Sequence, residues 1–326
     1  MRLFSQQLPG KLAIVTTYFN YAGYNALFNN FKIFAEEIRS QELDLWTVEI
    51  AFGNDEFDLE KDDRILQIRT PDVMWQKERA LNLLIKTLPK EYDKIAWLDA
   101  DILFENRKWA KEANKLLENH KIIQCFSKAH LYKEGNAKLT KNAHVGYVSQ
   151  KINPVQKSMA TMHPGYAWAG RRNFVERHML YDRHVLGAND FLMALAFIGN
   201  FKHKYITESI NESMRNDFRR WANNVSDDIQ KNVGYLDGAI RHLWHGKIKN
   251  RQYVKRDSYL LDYDFDPEKD IRIGSSGLFE WSSSKPDMHQ AVQQYFVDRN
   301  DDGNFLSGST PCFLRNSVSS SSHLVA

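Results

Sequence analysis

The chain has 326 residues, 43% of them hydrophobic and 26% charged, and its 44 basic and 41 acidic residues leave a formal net charge of +3. That length holds one large α/β domain or two modest ones, and the balanced charge excludes the basic footprint of a nucleic-acid binder. Cys125 and Cys312 alone exclude a disulfide framework or cysteine zinc site, no apolar stretch is long enough to span a bilayer, and the N-terminus lacks a signal-peptide core, so a soluble, cytoplasmic protein is expected.

Residues 11–17 are apolar and β-branched and read as a first strand, followed by an aromatic, Asn-rich turn to Tyr24. Leu27, Phe31, Phe34 and Ile38 recur at helical spacing, which predicts an amphipathic helix over 26–39. Residues 44–52 read as a second strand and 64–69 as a third. A helix over 75–87 leads through Pro89 into the run Asp93-Lys-Ile-Ala-Trp-Leu-Asp99-Ala-Asp101-Ile-Leu-Phe104, a buried strand that ends in two carboxylates. Such alternation implies a parallel, crossover-connected sheet with ligands at the carboxyl ends of its strands. A helix over 109–120 and a strand over 121–126 continue it. The polar stretch 128–162 reads as a long loop, an acceptor-side or lid segment. A small-residue strand or turn at 163–170 runs into a helix from Arg171, and Gly187-Ala-Asn-Asp190 opens an apolar helix over 191–198. Residues 238–245 form an apolar, His-bearing run that ends at Gly246.

The expected organisation is a main domain over 1–265, an extension over 266–308 packed on it, and a disordered tail over 309–326. Asp298, Asn300, Asp302 and Gly303 match the opening of a calcium loop, but Ser309 stands where the bidentate Glu belongs, so a solvated turn is the reading there.

Carboxylates are rarely buried without a partner, and two at the mouth of a core strand suit a hard divalent cation that carries phosphates. Taken alone, Asp-Ala-Asp is equally a solvated strand-end turn. Asp190 is either a first-turn helix acid or a carboxylate able to take a proton from a substrate hydroxyl. In His242-Leu-Trp-His245-Gly, an imidazole at 245 could complete an oxygen and nitrogen ligand set that suits Mn²⁺ slightly better than Mg²⁺. Lys247, Lys249 and Arg251 follow and could neutralise a diphosphate. The helix around Trp75-Gln-Lys77-Glu-Arg79-Ala-Leu-Asn82 carries cations just before the acidic strand, or is an ordinary exposed helix face.

The order of these motifs resembles the GT-A class of nucleotide-sugar glycosyltransferases. The residues that carry the likeness are Ile14-Val-Thr-Thr-Tyr18, Arg79-Ala-Leu-Asn82, Trp97-Leu-Asp99-Ala-Asp101, Gly165-Tyr-Ala-Trp168-Ala, Leu186-Gly-Ala-Asn-Asp190 and His245, spread over roughly residues 11 to 256. The last three elements look like those of the β-1,4-galactosyltransferase-like inverting branch, and the whole set is similar to uncharacterised glycosyltransferases of large viruses and phages. One departure is Asn189, which stands where that branch has an acid that often contacts the acceptor.

The resemblance implies a Rossmann-like, mostly parallel α/β sheet flanked by helices, with an irregular C-terminal extension. It implies inverting transfer of a hexose or N-acetylhexosamine from a nucleoside-diphosphate sugar, UDP-linked by analogy, to a glycan hydroxyl. By the same resemblance, Asp101, His245 and Asp99 would serve Mn²⁺ or Mg²⁺, Asp99 also holding ribose, and Asp190 would be the general base. Thr16, Tyr18, Lys77 and Arg79 would serve the nucleotide, and Trp168 would stack on the sugar unless it is packing. The cytoplasm would be that of the host if the source is viral. A non-catalytic sugar-nucleotide or carbohydrate-binding protein on the same scaffold is the alternative, with Asn189 its best support.

Overall fold

The protein is seen here in a computed structural model that describes residues 10–152, 161–253 and 255–303. In chain order it forms β1 (Leu12–Phe19), α1 (Asn25–Ser40), β2 (Leu45–Phe52), β3 (Ile65–Thr70), α2 (Lys77–Thr87), β4 (Lys94–Leu98), β5 (Ile102–Phe104) and α3 (Trp109–Leu116). There follow β6 (Ile122–Gln124), β7 (Lys128–Tyr132), β8 (Leu139–Gly146), α4 (Tyr147–Ile152), β9 (Thr161–His163), β10 (Ala167–Arg171), α5 (Arg172–His178), α6 (Asn189–Phe197), α7 (Lys204–Glu208) and α8 (Glu212–Ile229). The last elements are β11 (Val233–Tyr235), β12 (Ala239–His242), α9 (Ser258–Leu261), β13 (Ile271–Ile273), β14 (Phe279–Trp281) and α10 (Pro286–Asp298).

Seven strands make the main sheet, in the order β11-β6-β10-β4-β1-β2-β3. β1 pairs in parallel with both β2 and β4, and β2 with β3; β10 runs antiparallel to β4 and β6. Side chains alternate across a strand, and both faces of this sheet are covered. Ala13, Val15, Ile95, Trp97 and Trp168 face one core with α2, α6, α8 and α10. Ile14, Ala96, Leu98, Ala167 and Ala169 face the other with α1 and α3. Strands buried on both faces read as continuous apolar runs, which is why β1, β2 and β4 are visible in the sequence. The result is the mixed α/β, parallel-rich sheet flanked by helices that was expected.

A second sheet, in the order β5-β12-β7-β8-β9, was not expected. Three of its strands, β7, β8 and β9, fall in the stretch read as a loop or lid. In β7 the sequence Lys-Ala-His-Leu-Tyr alternates, with Ala129 and Leu131 buried and Lys128 exposed. Period-2 alternation of a half-exposed strand is present there, but its polar members dominate the composition. β13 and β14 form a two-stranded hairpin. Phe265, Leu278, Phe279, Met288, Val292, Tyr295 and Phe296 from this C-terminal part lie in the same core as Val15 and Ile50. Residues 304–326, and with them Ser309 and the tail expected to be disordered, lie outside the described residues.

The two sheets are stitched together by connections over 99–101, 125–127, 164–166 and 236–238. β4, β6 and β11 leave the main sheet at their carboxyl ends, and the antiparallel β10 enters at the same edge, so all four connections converge on one seam. That is where ligands of open α/β sheets bind. The seam is buttressed by Trp109, which is fully buried and stacked on Phe104 at the end of β5, with ring centroids 3.9 Å apart. Trp109→Ala should lower the unfolding free energy by about 3–5 kcal/mol in a urea titration. Trp109→Phe should lose less, because the indole N–H is buried without a hydrogen-bond partner.

Candidate metal centre and active site

Asp101 is the last residue before β5, and His242 is the last residue of β12. The antiparallel register pairs His242 with Ile102, and Leu243 N donates to Asp101 O at 2.7 Å, so the acid and the turn after β12 are fixed to each other by backbone. Local pairing thus brings together residues 141 positions apart. Asp101 Oδ2 lies 3.0 Å from His245 Nε2 and 3.6 Å from His242 Nε2, and the two Nε2 atoms are 3.0 Å apart. Among the described residues, Asp101, His242 and His245 form a group whose ligand atoms all lie within 4.8 Å of one another.

The set fits a divalent cation. Among the described residues Asp101 Oδ1 is buried with no hydrogen-bond partner, an unsatisfied acceptor that otherwise costs stability. One carboxylate and two imidazoles are a mixed oxygen and nitrogen donor set of the kind borderline divalent ions accept. Burial alone would push Asp101 up, but His242, His245 and Arg251 more than offset it and hold the carboxyl below its usual range. Burial and the Arg251 guanidinium bring His245 down to about 4, so its imidazole is neutral near neutral pH, as ligation requires. His242 is backed by a stack of rings. Tyr166 lies 4.8 Å from it, His163 3.7 Å from Tyr166, and His144 5.1 Å from His163. Burial, then the neighbouring His242, lowers His144 to about 4; burial also pushes His163 well down.

Beside this group is a narrow pocket lined by Lys77, Glu78, Trp97, Asp99, Gly165, Tyr166, Trp168, Asp190 and Met193. Its volume of about 10 Å³ is room for roughly one water, so a sugar there requires side chains to move. Lys77 enters from the first turn of α2 and pairs with Asp99 at 2.7 Å and Glu78 at 3.6 Å. Burial would lower the lysine, but Asp99, Glu78 and Asp190 raise it above its ordinary value, so the pocket keeps one fixed cation among three acids. Asp190 sits in the first turn of α6, where Oδ1 accepts from Phe191 N at 2.8 Å. Its other oxygen lies over Gly165: a Cβ at 165 would collide with Oδ2 and come within 3.2 Å of His163 Cε1. Gly165 is therefore the residue that makes room for the Asp190 carboxylate.

The residues expected from the sequence divide between this seam and the scaffold. Asp101, His245, Lys77, Asp99 and Asp190 meet at the seam. Asp99, expected as a metal ligand, stands outside the cation group. Its Oδ1 is taken by Lys77 and its Oδ2 accepts from Tyr166 N at 3.2 Å. Thr16 is fully buried and donates to Leu98 O at 2.8 Å, a bond between strands. Tyr18 donates to Asp58 Oδ2 at 2.6 Å with its ring against Phe31. Arg79 donates to Gly277 O at 2.6 Å and lies over the Phe279 ring, fastening α2 to the C-terminal hairpin. Residues two apart on a helix point to opposite sides, so Lys77 and Arg79 cannot both face the pocket. Trp168 contributes to the pocket wall but is 2% exposed, stacked on Trp97 and edged by Phe197; no free ring face is presented to a sugar. Lys247 and Lys249 are exposed, whereas Arg251 is buried against His245.

His242, Glu78, Gly165 and Tyr166 belong to the site although the sequence reading gave them no role. For His242 a signal was present, since two histidines three apart straddle the end of a strand. Asn189 is a brace: it is buried, its Nδ2 donates to Glu78 Oε2 at 2.9 Å, and its Oδ1 accepts from His184 N at 2.9 Å.

No family model matches the chain, and no curated protein is similar to it in sequence. Solved structures with a coarse likeness include Drosophila β1,4-galactosyltransferase 7, a mutant in complex with manganese, UDP-Gal and xylobiose. Identity is 12% over 57% of this chain and 59% of that one, with a TM-score of 0.32. A putative nucleotide-diphospho-sugar transferase from Desulfovibrio desulfuricans G20 matches at 9% identity over 90% of this chain and 98% of that one, TM-score 0.33. The 4-diphosphocytidyl-2C-methyl-D-erythritol synthase of Anaerococcus prevotii matches at 10% identity over 71% and 89%, TM-score 0.35. The matched region thus spans 59% of the galactosyltransferase chain. Likeness of this order assigns no chemistry, which rests on the side chains at the seam.

Among the described residues, no helix is long and apolar enough to cross a membrane.

Proposed function

We propose that the protein is an inverting glycosyltransferase that moves a hexose or N-acetylhexosamine from a nucleoside-diphosphate sugar to a hydroxyl of a glycan. The observation that carries this reading is the juxtaposition, at one seam, of a three-residue cation group with a pocket lined by a carboxylate on a helix start. Asp101, His242 and His245 would hold Mn²⁺ or Mg²⁺, which when bound supplies positive charge to the departing diphosphate.

The chain's own residues do the rest. Asp190 takes the proton of the acceptor hydroxyl as its oxygen forms the new bond to the anomeric carbon. The bond from that carbon to the diphosphate oxygen breaks, and the electron pair leaves with the diphosphate. A single carboxylate on one face of the sugar suffices for inversion. Gly165 keeps the carboxylate in place, and Lys77 prevents three acids from crowding one pocket uncompensated. Asp99, tied to Lys77 and to the Tyr166 amide, sets the pocket wall that the donor's ribose meets. The rival reading, a binding protein with a degenerate site, drew its support from Asn189; the bracing bonds of that amide give the substitution a structural reason instead.

The test is a panel of nucleotide sugars, UDP-linked donors first, incubated with the full chain and Mn²⁺ and assayed for slow donor hydrolysis. Donor-dependent release of nucleoside diphosphate is expected. Binding without turnover across the panel favours the binding-protein reading, and pyrophosphate release from nucleoside triphosphates would replace the proposal with nucleotidyl transfer.

A further inference from the structure

The turn over 300–303, which the sequence suggests is solvated, is instead clasped onto the turn that carries His245. Asp302 accepts from Asn25 N at 3.0 Å and Ala26 N at 2.7 Å, capping α1. Gly246 has φ +85°, and a Cβ there would stand 2.7 Å from Asn300 O, so the two turns approach backbone to backbone. Between them lies Asp301, 1% exposed. Its Oδ1 is 2.8 Å from Arg251 Nη2 and 3.7 Å from His245 Nδ1, and its Oδ2 is 3.3 Å from Arg299 Nε. Oδ1 accepts no aligned hydrogen bond, so it keeps an acceptor site free on the side of the imidazole.

A histidine that ligates through Nε2 carries its proton on Nδ1, and that N–H needs an acceptor. Arg251 Nη2 touches Nδ1, but a guanidinium only donates and would favour the opposite tautomer. Arg251 also donates to His245 O at 2.5 Å, so it can leave the ring without losing its hold on the turn. Asp301 Oδ1, 3.7 Å from that nitrogen, is an acceptor that a small shift of the ring brings within reach.

We propose that Asp301 is the positioning residue of the cation site: it accepts the Nδ1–H of His245, leaving Nε2 free to ligate, and it neutralises the Arg251 guanidinium beside the cation. The inference rests on reading Asp101, His242 and His245 as a cation site. It gives the C-terminal extension a function, locking a ligand supplied by the main domain.

The experiment measures Mn²⁺ affinity of the full chain by electron paramagnetic resonance, for wild type, D301N and, as a control in the same segment, D298N. D301N should bind Mn²⁺ about 10–100-fold more weakly, with D298N unchanged. Failure of the wild type to bind Mn²⁺ overturns the cation site itself. Binding by the wild type with equal affinity in D301N overturns only the role of Asp301. Because Asp301 also holds two arginines, D301N can lose its fold. A second measurement, on wild type labelled with ¹⁵N-histidine and loaded with Zn²⁺, then decides: His245 bound through Nε2 with a protonated Nδ1 supports the proposal, and binding through Nδ1 ends it.

Discussion

Asp101→Ala should abolish Mn²⁺ binding, whereas Asp99→Asn should leave it within a few-fold of wild type. Asp-Ala-Asp invites the view that both acids serve one ion, but the geometry separates them. Asp101 faces His245 at 3.0 Å, while Asp99 is spent on Lys77 at 2.7 Å. Asp101 is the single carboxylate of the cation group, so without it two imidazoles remain and no anion of the group offsets the nearby Arg251 charge. A loss of at least about 100-fold in affinity, or about 2.8 kcal/mol at 1.4 kcal/mol per factor of ten, is expected from removing the charged ligand of three. The readout is the rise in thermal midpoint on adding Mn²⁺. A ligand at 100 times its dissociation constant adds about 2.7 kcal/mol of stability, and that increment should vanish in Asp101→Ala. Asp99→Asn should keep it, yet weaken donor binding, because a buried Lys77 loses its nearest partner. If Asp99→Asn loses the Mn²⁺ increment and Asp101→Ala keeps it, the cation group has been assigned to the wrong acid.

The main sheet and its ligand edge were legible in the sequence because strands buried on both faces announce themselves as apolar runs, and because Asp99 and Asp101 interrupt one of them. The second sheet was not, since most of its strands are short and Lys128 and His130 hide the alternation of Ala129 and Leu131. The individual candidate residues follow the same division. Asp101, Asp190 and His245 stand at element ends, where a polar residue breaks a pattern. His242, the last residue of β12, left a local signal in its spacing from His245, but its place beside Asp101 depends on its pairing with Ile102, a long-range register that no local pattern encodes. Thr16, Tyr18 and Arg79, expected as nucleotide contacts, bond to the scaffold in this structure: polar atoms next to a site also bond to the scaffold, and a sequence does not say which. Asp301 shows the converse. Its neighbours fit a calcium-loop pattern and suggest solvent, yet the carboxylate is buried between two arginines and a histidine.

Asp190→Ala should keep Mn²⁺ and donor binding and lose sugar transfer by about 10²–10⁴-fold in kcat, the usual contribution of a positioned general base. Among the described residues Asp190 belongs to no cation group, and its side chain accepts one hydrogen bond, from the amide of the next residue, so its removal leaves donor and metal sites standing. The helix does not depend on it either, since α6 is fixed by the burial of Leu192 to Phe197. A structural role would move the thermal midpoint; a chemical one moves kcat alone. Gly165→Ala supplies the independent check. The added methyl would occupy the place of the Asp190 carboxylate without removing any charge, and it should reproduce most of the kcat loss with the carboxylate still present. Glu78 and Asp99 are the remaining pocket acids, but the oxygens of both are engaged, those of Glu78 by Lys77, Trp75 and Asn189 and those of Asp99 by Lys77 and the Tyr166 amide. Transfer at the wild-type rate by Asp190→Ala would therefore place the base outside this pocket, and with it the reaction.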